Sequence, residues 1–245
     1  MLSSMGLATG TGLLVTGIAG PQQSHGTSGQ SASVWRYVRL DGPAVAPEAA
    51  RLYVDGGCMY GVFGSIVAAL ARAVGGPYCS FPVQMMCYGE GGVGGWGSLC
   101  GALNGGAAAI GLVVREKERR EAIIGELMSW YEGNDLPVYR PAGSPEVPKS
   151  KSRSVLCHVS VGRWCKVSGS DVLAKERKDR CSRLTADVAV KTIELLNRNL
   201  EKSCKFAGPS PEVKACLSCH GKQDLRDVKG SMECGACHTF SKKHP

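Results

Sequence analysis

The last thirty residues carry Cys216-Leu-Ser-Cys219-His220 and Cys234-Gly-Ala-Cys237-His238. This is C-x-x-C-H written twice in a stretch too short and too polar to bury a core of its own, so a bound group must organise it. In this motif the two thiols add to the vinyl groups of a haem as thioethers, and the adjoining imidazole turns onto the iron. Two copies predict two haems c, attached through Cys216, Cys219, Cys234 and Cys237, with His220 and His238 as proximal ligands. A second chemistry fits the cysteines alone: Cys216-x2-Cys219-x14-Cys234-x2-Cys237 is close to zinc-ribbon spacing. A ribbon leaves the histidine after each pair unexplained, and the segment lacks the β-branched and aromatic residues its hairpins need. A zinc-stabilised interaction module stays as an alternative.

A chain of 245 residues accommodates one or two domains. Its formal charge is +8, but the propionates of two haems and a thiolate-bound cluster would offset much of that. The basic runs Arg115–Arg120 and Lys175–Arg183 are interleaved with acids, as on solvated helix faces. No nucleic-acid motif accompanies them, and no nucleic-acid partner is expected. At the N-terminus, Leu13-Leu-Val-Thr-Gly-Ile-Ala-Gly20 resembles the apolar core of an export signal. No lysine or arginine precedes Arg36, so a twin-arginine stretch upstream of the given start is expected. The run is too short and too broken by glycine for stable membrane insertion.

The organisation predicted is an export-signal remnant and flexible arm over 1–33, a helical iron–sulfur-binding redox body over 34–205, and a dihaem-binding segment over 206–245. The fold class is mainly α, a helical cysteine-rich body followed by an irregular C-terminal segment. Residues 34–40 read as a short strand or irregular arm. Helices are expected from Pro47-Glu48, from Cys58 to Ala73, from Cys100 to Val114, from Arg115 to Tyr131 and from about Lys175 to Lys202, the last with an apolar stripe through Leu184, Val188 and Leu195. Gly89-Glu-Gly91-Gly-Val-Gly94 matches G-x-G-x-x-G, but no strand precedes it, which argues against dinucleotide binding.

Twelve cysteines are present, and eight lie outside the tail motifs. Cys58 and Cys100 follow glycines at helix starts, where the helix dipole favours a thiolate or an anionic cluster. Cys157, Cys165 and Cys181 lie farther along. Thiolates converging from separate helices suit an iron–sulfur cluster; buried thiols or disulfides are the competing reading.

The blocks Gly57-Cys58-Met59-Tyr60, Cys100-Gly101-Ala102-Leu103-Asn104-Gly105, Cys157-His158-Val-Ser-Val, Trp164-Cys165 and Arg180-Cys181-Ser-Arg-Leu184 resemble a family of redox proteins with recurrent cysteines and a C-G-A-x-x-G signature. Joined to a dihaem tail, they resemble the split-Soret cytochromes c of sulfate-reducing bacteria. The resemblance implies a homodimer with two haems c and one [2Fe–2S] cluster per subunit. Five cysteines match its blocks (Cys58, Cys100, Cys157, Cys165 and Cys181), one more than a cluster takes. Cys79, Cys87 and Cys204 fall outside them.

Five histidines are present. With His220 and His238 proximal, His25, His158 and His244 remain for the distal positions. His158 sits in a body block, which leaves His25 and His244 as the expected distal ligands, with His25 on an arm able to reach across a dimer. Bis-histidine iron favours electron transfer over ligand binding. Neither a Ser-His-Asp set nor paired carboxylates are evident. The expectation is an electron carrier rather than a catalyst, serving redox partner proteins in the periplasm, in anaerobic respiration; a reductase with an open haem site is the alternative.

Overall fold

Aspartate followed by glycine and proline is a helix-start signal, because the carboxylate caps a free N–H and proline lacks the donor the first turn cannot use. In the computed structural model, which describes residues 35–201, 203–221 and 230–239, Asp41 caps helix α1 (Gly42–Val74) by accepting the Ala44 N–H at 3.3 Å. The helix thus starts ahead of Pro47-Glu48, where the sequence placed it, and Pro47 lies inside it. Residues 35–40 are irregular.

Helix α1 does not run straight. At Gly56 and Gly57 the backbone leaves helical values, with Gly57 at φ 79°. A Cβ there would be strained and would meet the Glu90 side chain at 2.8 Å. Beyond the kink the two halves fold back on each other. Arg72 pairs with Glu48 at 2.7 Å, although 24 residues of straight helix would separate them by roughly 36 Å. A Cβ on Gly61 would lie 2.8 Å from the Ala49 carbonyl and 2.6 Å from Thr185, so glycine permits this approach. By length and composition α1 could cross a bilayer, yet 67% of its apolar window is buried in the fold. The hairpin makes it a core element.

Helices α2 (Gly101–Val113), α3 (Lys117–Gly133), α4 (Cys157–Ser168) and α5 (Lys175–Asn199) complete the body. Leu184, Val188, Ile193, Leu195 and Leu196 of α5 are buried against α1 and α2 with Phe63, Ile66, Leu103 and Ile110, as the apolar stripe requires. Among the described residues, strand is confined to β1 (Asp135–Leu136) and β2 (Ser150–Lys151), paired antiparallel, with an isolated bridge between Leu99 and Leu156. Helix α4 has no counterpart among the helices expected from sequence. Its apolar positions are few, and its place is fixed by Trp164, which is fully buried and donates to the Pro148 carbonyl at 2.7 Å.

The tail is tied to the body where it begins. Arg119 and Arg198 both lie over the Phe206 ring, at 4.7 and 5.2 Å, and Glu126 accepts the Ala207 N–H at 2.9 Å. Ser210 then caps helix α6 (Pro211–His220). The first C-x-x-C-H is therefore helical rather than irregular, because Ser210-Pro211-Glu212 supplies the cap, the first-turn proline and an acid near the positive end of the dipole.

Candidate functional site

Four of the five candidate body cysteines are drawn to one locus by four different elements. Cys58 opens the second half of α1, Cys100 immediately precedes α2, Cys157 is the first residue of α4, and Cys181 lies on the second turn of α5. Three stand at helix starts, where unpaired N–H groups and the dipole favour negative charge. Cys58, Cys100 and Cys181 are buried and Cys157 is partly so. No disulfide joins any of the twelve cysteines in this structure.

The electrostatics of the four are linked. Cys58 is hydrogen-bonded to Cys181, which raises the Cys58 thiol; its burial and the charges of Cys181, Cys100 and Cys157 push the same way. The same bond lowers Cys181, and Arg180 and Arg177 help overcome the burial that opposes this. Burial raises Cys100, opposed by its polar neighbours Tyr131 and Arg180. Burial, followed by the neighbouring thiols, pushes Cys157 up to about 12. Burial thus keeps Cys58, Cys100 and Cys157 as thiols, and Cys181 is the favoured thiolate of the site.

The compensating charge is Arg180, which is 1% exposed. Its Nη1 lies 3.8 Å from the Cys181 sulfur, and its Nη2 donates to Ser160 at 2.8 Å. Ser160 also receives the Tyr131 hydroxyl at 2.7 Å. The Arg180 Nε has no partner, and among the described residues no carboxylate forms an ion pair with it. Sequence reasoning missed Arg180, Ser160 and Tyr131. Arg180 sits in a basic run of which Arg183 is buried as well, and helical spacing alone does not mark the one beside the thiols.

The glycine-rich stretch proves to be a cradle. Ser98 accepts the Cys157 N–H at 2.7 Å, Gly97 accepts the His158 N–H at 3.0 Å, and Val155 accepts the Cys100 N–H at 2.9 Å. These bonds lock the starts of α2 and α4 together. Gly92 has φ 73°, and a Cβ on it would lie 2.8 Å from that of Cys157, so the close approach requires glycine. An open cleft of ≈ 490 Å³ reaches the surface here, lined in part by Gly91, Cys157, His158, Cys165 and Arg177. Cys165 sits on this cleft, two turns beyond Cys157, and is not among the thiols that perturb Cys58 or Cys181. His158 is exposed.

On the tail, Cys216, Cys219 and His220 occupy positions i, i+3 and i+4 of α6, one helix face. Burial and then the neighbouring Cys216 raise the Cys234 thiol, so the leading cysteines of the two motifs lie near each other. Cys219, Cys237 and His238 are exposed. The second motif also touches the body, its Glu233 N–H donating to Glu132 Oε1 at 3.2 Å. Among the described residues, no three His, Cys, Asp or Glu side chains are gathered tightly enough to form a ready-made ion site. Cys79 and Cys87 are exposed and Cys204 is partly so. His25 and His244 lie outside the described residues.

The four-thiol locus and the paired tail motifs find their parallel among known proteins. A family described as putative redox-active proteins, C_GCAxxG_C_C, matches residues 63–195. That span holds Cys100, Cys157, Cys165 and Cys181 and begins after Cys58. Split-Soret cytochrome c of Desulfovibrio desulfuricans is 36% identical over 221 residues, 84% of this chain and 77% of the relative. This chain belongs to the split-Soret cytochrome c family. A solved structure of the Desulfovibrio desulfuricans cytochrome, reported as having a novel iron centre, superposes with a TM-score of 0.79 at 35% identity, covering 85% of this chain and 91% of the other. The helical fold is thus the fold of the family.

Proposed function

We propose that this chain is a one-electron carrier with two haems c on its tail and an iron–sulfur centre of the [2Fe–2S] type in its body. The observation that carries the reading is the convergence of Cys58, Cys100, Cys157 and Cys181 beside a buried cation, in a chain whose tail holds two C-x-x-C-H motifs near each other. The family description as redox-active proteins and the iron centre reported for the relative support it.

The residues fit the groups. Four thiols from separate elements match the donor set of an iron–sulfur cluster, and a buried guanidinium with an unpaired Nε suits an anionic occupant. Cys165, across the cleft, is the surplus candidate. Cys216 and Cys219 share a face with His220, as thioether attachment with proximal ligation needs. Bound there, these groups accept and return one electron at a time. The protein's own part is to keep the thiols dry, hold them with short backbone bonds and offset their charge, which limits reorganisation as charge changes. The nearness of Cys216 to Cys234 keeps the two haem sites close, which favours exchange between them.

The wider reading follows. His25 and His244 supply the distal ligands, with His25 crossing between subunits of a homodimer. The protein is exported folded by the twin-arginine route and meets its redox partners in the periplasm, because covalent haem attachment is extracytoplasmic while iron–sulfur clusters are usually built in the cytoplasm. A pyridine haemochrome assay combined with iron, zinc and acid-labile sulfide counts tests the assignment. Two haems and two further irons per chain are expected; zinc without haem would establish the ribbon instead.

A further inference from the structure

Arg180 is the most deeply buried cation beside the thiol locus, and its surroundings are unusual for arginine. Buried guanidinium groups are normally matched to a carboxylate or have their donors saturated. Arg180 has neither. One hydrogen bond goes to Ser160 at 2.8 Å, the Cys181 sulfur lies at 3.8 Å, and Nε is left without a partner. Tyr131 donates to Ser160 from the other side at 2.7 Å. Tyr131, Ser160, Arg180 and Cys181 thus stand in series beside the locus. The one permanent positive charge in the series is Arg180, and it faces the sulfur of the favoured thiolate, Cys181.

We propose that Arg180 is the fixed counter-charge of the metal–thiolate centre: it stabilises the anionic assembly and raises its reduction potential. The inference rests on the proposed metal centre. Four thiolates around iron would leave net negative charge in a largely buried site, and one-electron reduction would add another unit. A permanent cation 3.8 Å from one ligand sulfur favours the more negative, reduced state. Serine and tyrosine fix the guanidinium without neutralising it, as carboxylate would. The neighbouring Arg177 also bears on Cys181, but it lies on the cleft and is screened by solvent. Arg183 is spent on Asp179 at 2.9 Å and on the Pro145 carbonyl.

The test compares Arg180→Met, Arg180→Gln and Arg180→Lys with the parent protein. Far-ultraviolet dichroism first establishes that each is folded. The apo proteins are titrated with Cd²⁺, read by thiolate-to-metal absorption, and the iron-loaded proteins are titrated with dithionite to obtain the potential of the non-haem centre. Loss of charge in Met and Gln is expected to weaken Cd²⁺ binding roughly 10–100-fold, the range seen when an outer-shell partner is removed, and to shift the potential negative. Lysine keeps the charge and is expected to restore both; if neither neutral variant folds, this retention in R180K decides the matter against a parallel loss. Unchanged Cd²⁺ affinity and potential in the neutral variants, or a loss in R180K equal to theirs, would overturn the proposal. A parent protein that binds neither non-haem iron nor Cd²⁺ at the locus would instead remove the metal centre itself.

Discussion

The Glu233 N–H donates to Glu132 Oε1 at 3.2 Å, and the next residue back, Tyr131, donates to Ser160, which also holds Arg180 beside the Cys181 sulfur. Two consecutive residues of α3 therefore join the second tail motif to the thiol locus. Glu132 is buried, and burial raises its carboxyl. Glu132→Ala is expected to free Glu233, losing a bond worth about 1 kcal/mol. Amide exchange at Glu233 and neighbouring positions, followed by mass spectrometry, should then speed up about fivefold, while Glu132→Gln, which keeps an acceptor, should stay near the parent rate.

The histidines can be separated by spectrum. His25→Ala and His244→Ala should each turn one haem per chain from low-spin to high-spin in the visible and resonance Raman spectra. His158 lies exposed on α4, its backbone fixed by Gly97, and His158→Ala should leave both haems low-spin. A fully low-spin His25→Ala protein would remove that residue from the ligand set, and carbon monoxide binding to the reduced parent protein would favour the reductase.

Gly101 tests the locus without touching a sulfur. A Cβ there would run into the Gly89 carbonyl and lie 3.2 Å from the Cβ of Cys58. Gly101→Ala is expected to cost about 1–3 kcal/mol, as overpacking does, and to lower non-haem iron content. Thermal unfolding and an iron count check both. Unaltered haem content would confine the effect to the body.

Asp187 gives a pH signature. Its carboxylate accepts the N–H groups of Val138 and Tyr139, both at 2.7 Å, yet burial raises it from 3.8 to about 6. An acid held higher in the folded state than in the unfolded one contributes stability that is complete below pH 3.8 and is lost as pH rises through about 6. The difference in melting temperature between the parent and Asp187→Asn should therefore move in the variant's favour between pH 4 and 6. A difference independent of pH across that window would show that Asp187 ionises normally.

Much of the fold was legible. The apolar stripe of α5, the break at Gly56-Gly57 and the small-residue helix α2 follow from period and glycine placement. What escaped was set by remote contacts. Helix α4 depends on Trp164 reaching Pro148, a partner outside its own sequence window. The folding back of α1 depends on Gly61 packing closely against Ala49 and Thr185. The first tail motif was expected to be irregular, although Ser210-Pro211 carried the helix signal.

By itself the sequence determined the chemistry available: two C-x-x-C-H motifs, five block cysteines and too few histidines for many ligand sets. Covalent attachment needs only local spacing, so those motifs could be read directly. Tertiary structure decided which thiols meet. Cys58, Cys100, Cys157 and Cys181 come from segments up to 123 positions apart, the span from 58 to 181, and only the packing of α1, α2, α4 and α5 brings them together while leaving Cys165 on the cleft. The same packing buries Arg180 among the thiols. Burial is a property of the assembled fold, so no local pattern could have separated that arginine from the other basic residues of its run.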